Sequence, residues 1–417
     1  MQLDKKSNVY NLIALASCSL LGVANPALAA DDITEDWKVD TAVLYYNETD
    51  RVSAVESAVS ISKEFSGDKI LSGKLTIDSL SGSSHNGASI NENAQTFTSP
   101  SGEEQYVVEA GDVPLDPNFE DDRTSFNVQM SQPLSRLVNV EYGAAYSTEL
   151  DYTSMSLNAS LTRDFNQRNT TLSAGIAVAQ DEINPHDGLP ELYSLMSDNT
   201  KTSADTKNTV DLLLGLTQVI NRNTIMQFNY GIGSSTGYQN DPYKIVSIIS
   251  DATGAPLDYL FESRPDSRIK HSLYWQTKHH LERDMVDVSV RLMSDDWGIN
   301  SQTLDLRYRW NLSETQYLEP HVRYYNQSAA DFYQYEVSNE GLSAVQLAAQ
   351  YQRDGTDVSA DYRLGELNAT TVGLKWGASL FKNHQLTTRL ELYQQSGNSD
   401  VADLDAMIFQ VGYGLKF

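Results

Sequence analysis

Stretch after stretch of this chain alternates apolar and polar residues with a period of two, for about ten residues at a time. In "DAMIFQVGYGLKF", Met407, Phe409, Val411, Tyr413, Leu415 and Phe417 share one face. The intervening Ile408, Gln410, Gly412, Gly414 and Lys416 are mostly small or polar. Side chains alternate faces along a strand, so one face is greasy and the other can meet water. As a soluble edge strand this segment would expose a pairing edge and invite aggregation. A barrel closed on itself in lipid has no edge.

The pattern recurs. "VEYGAAYS" sets Val140, Tyr142, Ala144 and Tyr146 against Glu141, Gly143, Ala145 and Ser147, and "SMSLNASLT" sets Met155, Leu157, Ala159 and Leu161 against Ser156, Asn158, Ser160 and Thr162. "DVSVRL" and "TLDLRYRW" do the same with charges on the polar face. Alternation also occurs in soluble sandwiches, but runs of about ten residues match a tilted membrane-crossing strand. Short spacers such as "NQRN", "NRNT", "LSET" and "KNHQ" contrast with long polar segments near 81–122, 181–207, 237–266 and 327–368.

The expected fold is all-β: a closed antiparallel transmembrane β-barrel of about 16 strands, with short periplasmic turns and long extracellular loops. The strands are expected to start near Trp37, Ala54, Lys69, Arg123, Leu137, Thr153, Thr170 and Thr209. The remainder start near Thr224, Ser267, Asp284, Gln302, Gln316, Ala369, Gln385 and Asp405. An even count puts both termini in the periplasm. Trp310, Tyr413 and Phe417 lie toward strand ends on the apolar face, where an aromatic girdle is expected.

Composition narrows the setting. The formal charge of −26 argues against a nucleic-acid partner, and no run of about 18 apolar residues follows the N-terminus to make a spanning helix. Residues 1–29 read as a cleaved signal peptide: Lys5 and Lys6, the apolar "LIALASCSLLGV", and the small-residue site Ala27–Ala29. "LASC" offers a lipoprotein alternative at Cys18, with an apolar core shorter than usual. Residues 30–417 then form a single barrel domain without cysteine, in the bacterial outer membrane.

Beyond the pattern, "GAAYSTELDYTSMSLNASLTRDFNQRNTTLSAGIA", "LGLTQVINRNTIMQFNYG", "YQNDPYK", "SRPDSR", "RYYNQSAADFY" and "SADYRLGELNATTVGLK" together resemble a Gram-negative envelope family known as domain of unknown function 3570. The resemblance spans nearly the whole mature chain and is strongest from Tyr142 onward. It implies an outer-membrane β-barrel and supplies no activity, ligand or catalytic residue. After "DPYK" this chain carries an apolar insert, "IVSIISDATGAPLDYLF", longer than the family leads one to expect.

The lumen is the first place for function. Alternation turns Arg268, Lys270, Lys278, Asp287, Arg291, Asp305, Arg307, Arg309, Glu319, His321, Arg323, Lys375, Arg389 and Glu391 inward. Such charges either pair across strands and stiffen the wall or bias a pore toward anions. Strands five to nine turn Gly, Ser, Ala, Asn and Thr inward instead. The reading is a porin-like or gated channel for small polar solutes; the alternative is a non-conducting scaffold whose loops plug the lumen or bind an envelope partner.

Other features rank lower. "YKIVSIISD" and "LSAVQLAAQYQ", the latter with helical spacing at Leu342, Val345, Leu347 and Ala348, are expected to pack within the fold or to dock a partner. Acidic runs such as "FEDD" suit solvation or divalent cations bridging lipopolysaccharide, without EF-hand spacing. No enzyme, cofactor or metal is expected: the seven His lack ligand spacing, and no nucleophile elbow or Walker loop occurs. His321 beside Asp305 or Glu319 is the one place for a catalytic group. Expected partners are outer-membrane lipid and lipopolysaccharide, and the assembly machinery that reads the terminal strand through Phe409, Val411, Tyr413, Leu415 and Phe417.

Overall fold

The computed structural model describes residues 37–98, 105–186, 188–198 and 200–417. The expected signal peptide, 1–29, lies outside the described residues. Sixteen antiparallel strands close into one barrel. They run Trp37–Glu48, Val52–Phe65, Lys69–His85, Leu115–Ser135, Val138–Thr148, Tyr152–Phe165, Thr170–Ile183 and Asp205–Asn221. Thr224–Gly237, Ser267–His280, Met285–Asp295, Asn300–Asn311, Gln316–Gln327, Leu367–Phe381, His384–Gly397 and Leu404–Lys416 complete the ring. Order around the ring follows order in the chain, and Trp37–Glu48 pairs with Leu404–Lys416 to close it.

Alternation does its work on the outside. Leu157, Leu214 and Leu392 are 62%, 60% and 61% exposed, and the same face of every strand carries Val, Ile, Leu or aromatic residues. Apolar surface on this scale around a closed sheet belongs in lipid, as a band of about 25 Å. Trp310, Tyr413 and Phe417 are exposed toward the short-turn end, with the half-exposed Val411 and Leu415 on the same side as Phe409 and Tyr413.

Fifteen strand starts fall within four residues of expectation; the exception is the strand expected at Arg123, which starts at Leu115. Its ladder to Lys69–His85 continues through Ser84↔Asp116. Phe119 is buried there instead of facing lipid, so the hydrogen bonds outlast the alternating pattern that announces them. Gly82 sits beside the register shift of this ladder at φ +133°, where a Cβ would lie 2.3 Å from the Arg51 carbonyl oxygen. Only glycine tolerates both.

The long segments fold into a cap with secondary structure of its own. A hairpin pairs Gln95–Thr98 with Gln105–Val108, and Ile245–Ile249 lies between antiparallel Pro256–Phe261 and parallel Glu336–Ser338. Leu189–Pro190 pairs with Lys201–Thr202. Helix Ala344–Asp354 opens on a Ser343–Gln346 capping box and stops at Gly355 in the left-handed region. The three-stranded sheet is apolar on both faces. Val246, Ile248 and Leu260 pack with Leu347 of the helix and Leu195, while Ile245 and Tyr259 pack with Phe97 and Val108 of the hairpin. That double burial explains why "KIVSII" does not alternate. The four long segments thus pack on the two faces of one sheet at one end of the barrel.

Candidate functional site

The inward face of strands Ser267–His280 through His384–Gly397 is a charged lattice. Arg268 Nε donates to Asp295 at 2.8 Å, and Arg309 Nε to Glu319 at 2.9 Å. Arg307 lies 3.2 Å from Asp305, Lys278 3.6 Å from Asp287, and Arg389 3.7 Å from Glu391. Arg291 sits over the Tyr274 ring, and Lys375 with Arg309 over Tyr317. Arg323 is the register partner of Asp305. Lys270 and Asp211 flank Gly233 across two ladders; a Cβ at Gly233 would lie 2.4 Å from Asp211 Oδ1, so the glycine leaves the carboxylate its path. Arg268, Lys278, Arg307, Arg309 and Arg389 each have a carboxylate within 4 Å, while Arg291 and Lys375 lie over aromatic rings.

His321 bridges two strands. Its Nε2 lies 2.8 Å from Asp305 Oδ2 and its Nδ1 2.8 Å from Glu391 Oε1. Glu319, the other carboxylate considered beside it, is taken by Arg309. With both ring nitrogens engaged by carboxylates, neither accepts a proton from a hydroxyl nucleophile, as a serine triad requires. Among the described residues no group of three His, Cys, Asp or Glu is placed to hold a metal ion.

The opposite wall is smaller but not neutral. Gly143, Ser147, Ser156, Asn158, Gly175 and Ala177 point inward, as expected for strands five to nine. Beyond them stand charges the sequence reading passed over. Asp78 bonds Arg123, Glu56 is the cross-strand partner of Asp78, and Lys207 meets Asp181 at 3.1 Å. The signal was present: Val55, Ile77 and Phe126 are outward-facing, and each of Glu56, Asp78 and Arg123 lies an odd number of residues from one of them.

A buried ionic network ties the cap segments 237–266 and 327–368 to each other, and single contacts from Lys244 and Tyr362 reach the barrel. Arg264 reaches Glu262 at 2.7 Å and Asp361 at 3.0 Å, and Arg363 reaches Asp361 at 2.8 Å and Asp241 at 2.9 Å. Burial pushes the Asp361 carboxyl up, but Arg363 and Arg264 outweigh it and hold it below the usual carboxylate range. Burial pushes the Lys244 ammonium down; its Nζ donates to the His85 carbonyl on the barrel wall. Arg51 of the barrel lies over the Tyr362 ring and donates to the Val401 carbonyl at 2.8 Å. Between cap and wall is a cavity of about 400 Å³, bounded by Tyr46, Glu56, Asp78, Lys244, Tyr362 and Arg389 among others. Sequence alone gave no hint of this room, because its lining comes from residues 44 to 408.

Among solved structures, the chain is similar to CdiB from Acinetobacter baumannii at 9% identity and TM-score 0.49, covering 93% of this chain and 61% of CdiB. It is similar to the outer membrane protein opdK from Pseudomonas aeruginosa at 10% identity and TM-score 0.40, covering 92% of this chain and 99% of that one. Pseudomonas putida OprB gives 10% identity and TM-score 0.42, covering 92% and 94%. No curated protein matches it. A family model described as a protein of unknown function, DUF3570, matches residues 10–411.

Proposed function

Because the chain belongs to the DUF3570 family, whose description assigns no activity, we propose a function from its geometry: a gated outer-membrane channel for small polar solutes. A ring of sixteen strands encloses more space than its side chains fill. The observation that carries the gating is the cap, a folded unit with its own core, seated on the lumen through Lys244 and Tyr362. Charge pairing along the wall supports passage of polar solutes of either sign better than an anion-selective lining. Termini in the periplasm and loops outside, against lipopolysaccharide, fit the short-turn and long-loop ends.

The full chain, purified and placed in planar bilayers, is expected to show discrete conductance steps. Replacing the helix Ala344–Asp354 by a flexible linker should raise the open fraction. Silence from both proteins at all voltages and salts would overturn the channel reading. The same result would favour the second reading, a closed scaffold, which the continuous packing of the cap also supports.

A further inference from the structure

Two residues that line the cavity beneath the cap carry unmet polar atoms of opposite kind. Arg389 Nε is a buried donor and Asp78 Oδ1 a buried acceptor, neither with a hydrogen-bond partner. Asp78 is 5% exposed, and its other oxygen is taken by Arg123. Leaving such atoms bare costs folding energy. The cavity's other cations are committed: Arg51 to the Val401 carbonyl, Lys244 to the His85 carbonyl, Arg363 to Asp241 and Asp361. Arg389 meets Glu391 at 3.7 Å, through a carboxylate oxygen that His321 already holds at 2.8 Å.

The spacing restricts what fits. Arg389, Gln410, Leu44, Glu56 and Asp78 lie in one hydrogen-bonded row of the wall. Arg389 and Asp78 are therefore four strands apart in a ring of sixteen, a quarter turn. At about 4.8 Å per strand that is about 19 Å along the wall, and inward-pointing side chains reduce the gap to on the order of 10 Å. A single amino acid is too short to touch both ends. An extended tripeptide, at about 3.5 Å per residue, spans it. The volume of about 400 Å³ lies within the range of small-molecule sites.

We propose that this cavity binds an elongated zwitterion of short-peptide size, its carboxylate on Arg389 and its ammonium on Asp78 and Glu56. The proposal rests on the channel reading in that the cavity lies on the solute's route. Glu56 faces Asp78 across the ladder and Arg123 is bonded to Asp78, so an ammonium placed between the two carboxyls relieves their repulsion.

The test is calorimetric titration of the full chain in detergent with triglycine, N-acetyl-triglycine, triglycine amide and glycine. Triglycine is expected to bind at least tenfold more tightly than the other three. Arg389→Gln should bring triglycine down to the affinity of the amide, and Glu56→Gln down to that of the N-acetyl form. No heat from triglycine, or equal binding of triglycine and both blocked forms, overturns the proposal, and water alone then fills the cavity. Conductance on the same preparation separates the readings. Steps without peptide binding remove the site and leave the channel; binding without steps removes the channel and leaves the site.

Discussion

The Trp37 amide donates to the Phe417 carbonyl at 2.7 Å, and the Phe417 amide donates back to the Trp37 carbonyl at 2.9 Å. This reciprocal pair is the short-turn end of the seam between the first and last strands. Eleven further register pairs run from it, Lys38↔Lys416 to Glu48↔Ala406. A barrel has no free edge only while this seam holds.

Deleting Phe417, or introducing Tyr413→Asp on the lipid face, should therefore lower insertion. Tyr413 is exposed on that face, and its hydroxyl meets His384 Nδ1 at 2.5 Å. The expected outcome is loss of the folded, heat-modifiable species from the outer-membrane fraction. Normal amounts of both variants would contradict the role given to the terminal strand.

Leu213 and Leu214 are chain neighbours on opposite faces, with Leu214 60% exposed to the surroundings of the barrel. Leu214→Arg places a charge in hydrocarbon and should cost about 2–4 kcal/mol near the midplane. Leu213→Arg points into the lumen and should cost much less. Urea unfolding in lipid vesicles compares them, and equal losses would mean that the faces are assigned wrongly.

His321→Ala would leave Asp305 and Glu391 facing each other without the ring that joins them. A loss of about 2 kcal/mol is expected, below the usual value for a buried pair because the lumen is polar. Adding Asp305→Asn and Glu391→Gln should restore part of it. A catalytic histidine would behave differently: stability would stay unchanged, and a hydrolytic activity would vanish.

Glu149, in the short connection between Val138–Thr148 and Tyr152–Phe165, is 8% exposed. Burial, then the charge of Asp121, pushes its carboxyl up to about 8. A group raised on folding favours the folded state when protonated. Its contribution is complete below about pH 4.5, the ordinary value, and is lost as pH rises to about 8. Glu149→Gln should thus raise the melting temperature more at pH 8 than at pH 4. An equal shift at both would remove the titration argument.

The cap network offers a test of separability. Arg264→Leu leaves Glu262 and Asp361 buried without their shared partner and should cost about 3–5 kcal/mol locally. Hydrogen exchange should rise in 238–266 and 328–366 while the barrel ladders stay protected. Uniform loss of protection would show that cap and barrel unfold together.

What the sequence determined by itself was the barrel: its sixteen strands, nearly all their starts, its two faces and its long-loop end. Each strand must satisfy lipid on one side along its own length, so Val210, Leu212, Leu214 and Leu216 carry the whole message within seven residues. Tertiary structure alone decided the cap and the charge partners. Leu195, Val246, Val337 and Leu347 are too few in any one segment to set a period, and they become a core only when distant loops meet. Likewise the inward position of His321 and Glu391 was readable from alternation. Their pairing 70 residues apart depends on how two strands on either side of Leu367–Phe381 are staggered around the ring.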